Sequence, residues 1–297
     1  MKKILYIMSI AALAAACQKQ APTDDLVRVR LGIEGQDPTK TCFIDQSATG
    51  YSVGWSGGDK VIMNGVESLA LAASSEGSAS ATFTFNFKGQ TDKLTSPYNL
   101  LYCGVAGTDN TVFFQGTQKE IDGNVAPNTL PMYATSASTY ENVTMNHLAS
   151  VLKISLTDTK GSTLKRITVE ALGGEKLSGK FSLGKAEGGK FDASVFSPSG
   201  ENATTVAIES ESGSKLGSVA KDFYIAIPAG TYTKGFYGQI IMADNSLMEV
   251  YFDTMSEKTF GRGVIYDFGT NAFVNMGKVV VTVCGTENFN VEAFNYE

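Results

Sequence analysis

The dominant pattern along the chain is a period of two. From Leu26 the segment LVRVRLGIE alternates apolar residues with polar or charged ones, as does a strand with one buried face. Comparable runs occupy residues 82–87, 111–115, 150–156, 164–172, 222–227, 238–242, 247–252 and 278–283. Turn signals such as Gly57-Gly58-Asp59 and Gly173-Gly174 separate them. The pattern predicts a chain made almost entirely of short β-strands.

Helical periodicity is nearly absent, because only residues 67–75 (ESLALAASS) could form a helical turn or two. Many closely spaced strands with little helix predict an all-β sandwich fold. A length of 297 residues favours two sandwich domains in tandem. The polar segment TDTKGS (157–162) lies between two strongly patterned strands. We therefore expect an N-terminal β-sandwich over 26–158 and a C-terminal β-sandwich over 159–297.

The first 25 residues follow a different pattern. Lys2 and Lys3 precede an apolar run from Ile4 to Ala16, which is shorter than the roughly 20 residues of a membrane-spanning helix. These features predict a signal peptide over 1–16. The small residues before Cys17 resemble a bacterial lipobox, with the usual leucine displaced by one place to Leu13. The lipobox predicts that Cys17 is lipidated and that 17–25 form a tether; the alternative is an ordinary signal peptide with an incidental cysteine.

Composition and charge exclude some classes of partner. The 31 glycines against 7 prolines fit short strands joined by many turns. Removal of the signal peptide leaves 22 basic and 30 acidic residues, a net charge of −8. An acidic chain without a basic cluster argues against nucleic acid and against anionic lipid headgroups as partners. After Cys17 the cysteines are Cys42, Cys103 and Cys284, so at most one disulfide can form among them, and its pairing stays open.

No pattern in the chain indicates catalysis. His147 is the only histidine, and the apolar residues that follow it favour a structural role. There is no metal-spaced cluster, Gly-rich phosphate loop or nucleophile motif, and the 30 scattered acids identify no carboxylate pair. We expect no enzymatic activity, no catalytic residue, no metal site and no cofactor.

Aromatic residues beside turns are predicted to pack in cores. Trp55, the only tryptophan, adjoins the Gly57-Gly58-Asp59 turn and is expected to anchor a core. The Asp59 side chain is expected to bond the backbone of that turn. Core and turn packing is also favoured for three tyrosines around a Pro-Ala-Gly turn, namely Tyr224, Tyr232 and Tyr237.

Five segments in order carry a family resemblance, namely YSVGWSGGDKVIMNG (51–65), LPMYATSASTYENVTMNHLASVLKISL (130–156), ALGGEKLSGKFSL (171–183), FYIAIPAGTYTKGFYGQIIMADN (223–245) and KTFGRGVIYDFG (258–269). Together they resemble the fimbrillin, or Mfa1-like, lipoproteins of Bacteroidetes, which are type V pilins. The resemblance implies two transthyretin-like sandwich domains in a pilus subunit that supports adhesion. It also implies a lipid anchor in the outer membrane and surface exposure, or a place in fimbriae after processing. The expected partners are other pilin subunits, the outer membrane through the lipid, and a host or bacterial surface ligand.

In such pilins an arginine-specific protease removes the first strand, and the C-terminal strand of a neighbour fills the groove. The resemblance therefore implies that LVRVRLGIE is the removable strand, cleaved after Arg28 or Arg30. The alternative is that both arginines are simply outward-facing charges on one strand. The candidate donor is 270–297, in which Phe289, Val291 and Ala293 alternate; alternatively, its strands complete the second sandwich.

Other functional assignments stay open at this point. The sequence does not decide between a shaft, anchor or tip subunit. Asp253-Thr254-Met255 fits a short O-glycosylation pattern of this phylum, with Thr254 as the acceptor. The competing function is a surface lipoprotein that binds a glycan or a protein without polymerising.

Overall fold

The computed structural model describes residues 26–34, 43–47, 50–252, 257–277, 282–283 and 289–290. Several predictions concern positions outside this part of the chain: the signal peptide, the tether, and residues Cys17, Cys42, Thr254, Cys284, Val291 and Ala293. These assignments stay predictions. Among the described residues, no helix has the length and apolar character needed to cross a membrane.

The described residues form β-strands and three short 3₁₀ helices, which confirms the all-β class. The strands of the first half are β1 (Leu26–Ile33), β2 (Phe43–Ser47), β3 (Gly50–Val53), β4 (Val61–Met63), β5 (Val66–Glu67), β6 (Ser80–Asn86), β7 (Tyr98–Tyr102), β8 (Thr111–Phe114), β9 (Thr117–Lys119), β10 (Met132–Ser136) and β11 (Asn142–His147). Those of the second half are β12 (Ala149–Thr157), β13 (Thr163–Ala171), β14 (Ser178–Lys185), β15 (Phe191–Ala203), β16 (Thr205–Lys215), β17 (Lys221–Pro228), β18 (Gly230–Tyr232), β19 (Phe236–Met242), β20 (Leu247–Phe252), β21 (Lys258–Phe260), β22 (Ile265–Ala272), β23 (Thr282–Val283) and β24 (Phe289–Asn290). The 3₁₀ helices are Ala73–Ser75, Thr91–Lys93 and Glu187–Gly189, the first of them within the segment where a helical turn is expected.

A seven-stranded sheet in the order β5-β4-β7-β10-β11-β1-β6 surrounds the first core. Its alternating apolar residues point inward and pack together with Trp55. The sheet curls until its two ends meet, since Ser68 forms a bridge with Phe85 and the Leu69 N–H donates to the Thr84 carbonyl over 2.8 Å. Each strand therefore has partners on both sides over part of its length.

The second half of the chain stacks three layers. The three-stranded sheet β17-β12-β22 lies in the middle, with the five-stranded sheet β20-β19-β13-β16-β9 on one face and the sheet β15-β14-β8 on the other. Leu152 and Ile154 of β12 face the first of these cores, and Val151 faces the second. Burial on both faces explains why the sequence of β12 reads as a nearly continuous apolar run.

Sheet pairing does not follow chain order. β8 and β9 precede the turn at 158–162, yet β8 pairs with β14 and β9 pairs with β16. The turn itself is present, because the Asp158 carboxylate accepts the N–H groups of Lys160 and Ser162, both over 2.9 Å. The division into domains over 26–158 and 159–297 stays a prediction.

Candidate functional site: the β1 slot

The first described strand, β1, lies inside its sheet. β1 pairs antiparallel with β6, from Leu26 opposite Asn86 to Gly32 opposite Ser80. On its other edge it pairs in parallel with β11, from Arg30 opposite Asn142 to Ile33 opposite Met145. We call the space between β6 and β11 the β1 slot. Its occupant forms main-chain hydrogen bonds along both edges.

The period of two decides which side chains enter the slot. Val29 and Leu31 are fully buried in the first core, and Ile33 is nearly so. The residues between them face outward, and Arg28 and Arg30 are exposed. Each buried aliphatic side chain stabilises the folded state by about 1.5–3 kcal/mol. The slot therefore demands an apolar side chain at every second position of its occupant.

The two strands that line the slot, β6 and β11, also pair with residues outside β1. The far edge of β6 is held by the bridge between Ser68 and Phe85. β11 pairs with β10 at its C-terminal end, where His147 lies opposite Met132. Because each wall is attached to the rest of the curled sheet, removal of β1 leaves both strands tethered.

Trp55 closes one side of the slot. It is fully buried, and its indole Nε1–H donates to the Leu31 carbonyl of β1 over 3.0 Å. The ring packs edge-on against Phe83 of β6, with centroids 4.8 Å apart, and against Tyr102 of β7, at 5.5 Å. The prediction of a core anchor is confirmed. The hydrogen bond from the indole to Leu31, 24 residues earlier, could not be predicted from the sequence, because every residue has a main-chain carbonyl.

The turn after Trp55 is braced by Asp59. Its Oδ2 accepts the Ser56 N–H over 2.7 Å, which confirms the predicted bond to the turn backbone. Its Oδ1 accepts the Tyr102 hydroxyl over 2.8 Å, and the carboxylate is buried. Gly57 packs tightly here, since an added Cβ would approach the Ala73 Cα to 2.9 Å. The turn thus holds Trp55 in place through groups that lie outside β1.

The candidate cleavage residues lie on a paired strand, Arg28 opposite β6 alone and Arg30 opposite both β6 and β11. The Arg30 guanidinium donates to the Ser80 hydroxyl, at 2.9 Å from Nη2 and 3.2 Å from Nε. Proteolysis concentrates at exposed chain with free main-chain groups, whereas the main chain around Arg28 and Arg30 is engaged on one edge or both. Cleavage at either residue therefore requires β1 to leave its partners first. Arg28 and Arg30 stay predicted processing sites.

The candidate donor segment divides into two parts. Residues 270–272 belong to β22, the Phe273 N–H donates to the Thr157 carbonyl, and the Met276 N–H donates to the Leu247 carbonyl over 2.7 Å. The residues up to Gly277 are thus built into the second half of the molecule. Beyond them β23 pairs with β24, with Phe289 opposite Val283. Among the described residues these two strands pair only with each other.

The remaining singled-out residues lie in cores or on the outer face. His147 is 6% exposed, and burial lowers its pKa to about 4, so the imidazole is neutral near pH 7. Burial, with the nearby Asp59 charge, raises the pKa of the free Cys103 thiol well above its usual value. Tyr224 and Tyr232 are buried as predicted. Tyr237 differs, because it is half-buried on the outer face of β19.

Metal-ligating residues are not clustered in the described part of the chain. No group of three or more His, Cys, Asp or Glu side chains there could hold a metal ion.

Comparison with known proteins identifies only distant structural neighbours. No protein-family model and no curated protein matches the chain. It is similar to a candidate cell adhesion protein from Bacteroides ovatus, with 14% identity, a TM-score of 0.37, and coverage of 84% of this chain and 82% of that one. A second such protein, from Bacteroides uniformis, gives 10% identity, a TM-score of 0.42, and coverage of 85% and 94%.

A third neighbour is the tip fimbrial protein Mfa3 of Porphyromonas gingivalis with a C-terminal truncation. Its identity is 10%, its TM-score 0.32, and the coverage 76% of this chain and 82% of that one. Two of the three neighbours are named as cell adhesion proteins and one as a fimbrial protein. All three TM-scores lie below 0.5, so the function has to be argued from the residues of this chain.

Proposed function

We propose that this chain is a structural subunit of a fimbria that assembles by strand exchange at the cell surface and supports adhesion. The observation that carries the proposal is the position of β1 between β6 and β11. A terminal strand that fills the inside of a sheet can be replaced by a strand from another molecule without any change of topology. The replacement strand gains main-chain bonds on two edges, where addition to a sheet edge provides one.

Release of β1 creates the driving force for assembly. It leaves β6 and the first part of β11 with unpaired main-chain groups, and it opens the pockets of Val29, Leu31 and Ile33. Unpaired strand edges and exposed apolar pockets favour pairing with another chain. The occupied slot keeps the subunit from polymerising until β1 leaves.

The donor in this proposal is the segment 278–297. It contains NFNVEAF, in which Phe289, Val291 and Ala293 alternate with polar residues in the way that the slot demands. The residues before it are bonded into the second half of the molecule and would hold the donor at a fixed exit point.

The lipid anchor and the slot are linked by the order of the chain. Cys17, the proposed lipidation site, lies only a short tether before β1. Cleavage after Arg28 or Arg30 would therefore also release the subunit from its lipid in the outer membrane. Residues 31–33 of β1 stay on the cut chain in both cases, and they would have to leave the slot before a donor strand enters. A subunit that keeps β1 would stay anchored, so processing separates a polymerising subunit from an anchor subunit. The proposal includes no catalytic activity and no cofactor.

The proposal is tested by following assembly after processing. The chain without its signal peptide is treated with an arginine-specific protease, beside the double variant Arg28→Ala/Arg30→Ala and a deletion of 278–297. The deletion begins at 278 so that β22 and the residues bonded to β20 stay intact. We expect SDS-resistant ladders that need cleavage and the C-terminal segment. A chain that is cut and stays monomeric contradicts the proposal.

One feature favours the alternative of a non-polymerising binding protein. On the outer face of β19 and β20, Tyr251 is 63% exposed and its ring centroid lies 5.1 Å from that of Tyr237. The Tyr237 hydroxyl donates to Glu249 and accepts from the Gln239 amide, so aromatic and polar groups share one surface. Tyrosine with polar neighbours is common in binding surfaces. Loss of adhesion in Tyr251→Ala with unchanged polymer ladders would support this second role.

A further inference from the structure

The position of Trp55 does not depend on β1. Its own N–H donates to the Ser78 carbonyl over 3.0 Å, and its carbonyl accepts the Gly77 N–H over 2.9 Å. Its ring is packed between Phe83 and Tyr102, neither of which belongs to β1. The indole therefore stays at the slot when β1 departs.

The indole N–H of Trp55 donates its hydrogen bond to β1. Trp55 is 0% exposed and its Nε1–H donates to the Leu31 carbonyl. Indole is a donor only, and a buried donor without an acceptor destabilises the state that contains it. An empty slot is thus disfavoured until another carbonyl arrives at this point.

The acceptor is a main-chain carbonyl, which every residue type supplies. From this geometry we infer that Trp55 is the main-chain clamp of the slot, donating the same hydrogen bond to whichever strand fills it. The ligand is an extended peptide backbone, recognised independently of its sequence. This inference rests on the strand exchange proposed above and adds a residue that positions the incoming strand.

The clamp also fixes the register of the incoming strand. Successive carbonyls of a strand point to opposite edges, so only alternate residues can offer an acceptor to Trp55. A slip of one residue would misdirect the carbonyl and turn the apolar side chains outward. The correct register satisfies the indole and fills the pockets of Val29, Leu31 and Ile33 at the same time.

The test separates hydrogen bonding from packing. A specific protease site placed within 35–42 allows β1 to be cut free after the chain has folded, since β1 ends at Ile33 and β2 begins at Phe43. Exchange of the bound strand is then measured by mass spectrometry with two isotope-labelled peptides, residues 25–34 and residues 286–295. Trp55→Phe keeps an aromatic ring and removes the N–H. Phe236→Leu, in the other core, is the matched control for general destabilisation.

We expect Trp55→Phe to speed dissociation of both peptides by the same factor, roughly five- to thirty-fold, because the bond is to the backbone. Phe236→Leu should leave both rates unchanged. A factor that differs strongly between the two peptides would indicate side-chain packing and overturn the clamp.

A second measurement needs no substitution. Trp55 is the only tryptophan, so ¹⁵N-labelled protein gives a single indole N–H signal in NMR spectra. Its hydrogen exchange should be slow with β1 in place, fast after β1 is removed, and slow again with either peptide bound. Exchange that is insensitive to the state of the slot contradicts the inference.

The two proposals fail in different ways. A cut chain that neither releases β1 nor accepts any peptide overturns strand exchange, and the clamp with it. Exchange that proceeds at the same rate in Trp55→Phe and in the unsubstituted chain overturns the clamp alone.

Discussion

Two strands of the molecule have the same types of neighbouring strand but differ in their burial and in their chain connections. β1 lies between antiparallel β6 and parallel β11, and β12 lies between antiparallel β17 and parallel β22. β1 buries one face, whereas β12 is buried on both. β12 is joined to β11 through Leu148 and to β13 through the 158–162 turn, whereas β1 is the first described strand and the chain continues from it through 35–42 to β2. The types of main-chain pairing therefore do not distinguish the two strands, whereas the number of buried faces and the chain connections do.

The largest expected contrast comes from a charge placed in each strand. Leu152→Asp in β12 puts a carboxylate into the central core, and we expect a loss above about 4 kcal/mol and failure to fold. Leu31→Asp should instead expel β1 while the second half stays folded. Circular dichroism, with limited proteolysis to map the protected region, distinguishes these outcomes. Global unfolding of Leu31→Asp would remove the difference between the two strands.

A smaller effect on stability is expected when the pH is lowered, because of His147 at the junction of β11 and β12. His147 is the last residue of β11, and Leu148 leads from it into β12. Burial lowers its pKa to about 4, so the unfolded chain takes up a proton first as the pH falls below about 6.5. The contribution of His147 to the free energy of unfolding is complete above about pH 6.5 and is lost as the pH falls towards 4. At pH 5 the loss is about 2 kcal/mol.

Urea unfolding at pH 7 and pH 5 measures this loss. His147→Gln, which carries no titrating group, should show a smaller difference between the two pH values. An equal difference in both proteins would rule out His147 as its source.

The next effect concerns the turn at 158–162, which joins β12 to β13. Hydrogen bonds from Ser162, and from the Lys160 N–H, hold the pKa of Asp158 below its usual value. Asp158→Ala should lower the free energy of unfolding by about 1–2 kcal/mol. Asp158→Asn keeps one acceptor oxygen and should lose less. Thermal unfolding gives the order, and an alanine variant as stable as the parent chain would contradict this account of the turn.

The smallest effect is expected at the surface of β1. The Arg30 side chain bonds only the half-buried Ser80 hydroxyl among the described residues, so Arg30→Ala should change stability by less than about 0.5 kcal/mol. The same substitution should abolish any cleavage after residue 30. Chemical denaturation and protease digestion give the two readouts, and a large loss of stability would show that Arg30 has a structural role.

The alternation of residues predicted the strands and faces that matter here. It identified β1 and β12 as strands, while the position of Trp55 beside a tight turn identified it as a core residue. It did not identify β1's neighbours, because a period of two determines which side chains point inward and carries no information on pairing. The insertion of β1 between β6 and β11 is therefore a result of the structure.

β15 and β16 escaped prediction because most of their residues are exposed or half-buried. β15 pairs with β14 and β16 pairs with β13, but beyond the first few residues of each strand no apolar alternation marks them. The pairing of β8 with β14 and of β9 with β16 was not predicted either, because the predicted domain boundary at 158–162 lies between the partners in the sequence. The hydrogen bond from Trp55 to Leu31 could not be predicted from the sequence, because its acceptor is a main-chain carbonyl, which every residue has.

The central claim, that β1 opens independently of the fold around it, is tested most directly by hydrogen exchange of the intact chain. Peptides covering 26–34 and 149–157 report β1 and β12 in one experiment under native conditions. Independent opening predicts that the β1 amides exchange through a low-energy local opening while the β12 amides exchange only with global unfolding. Equal protection of both strands, lost together, would contradict the claim that β1 is the strand built to leave.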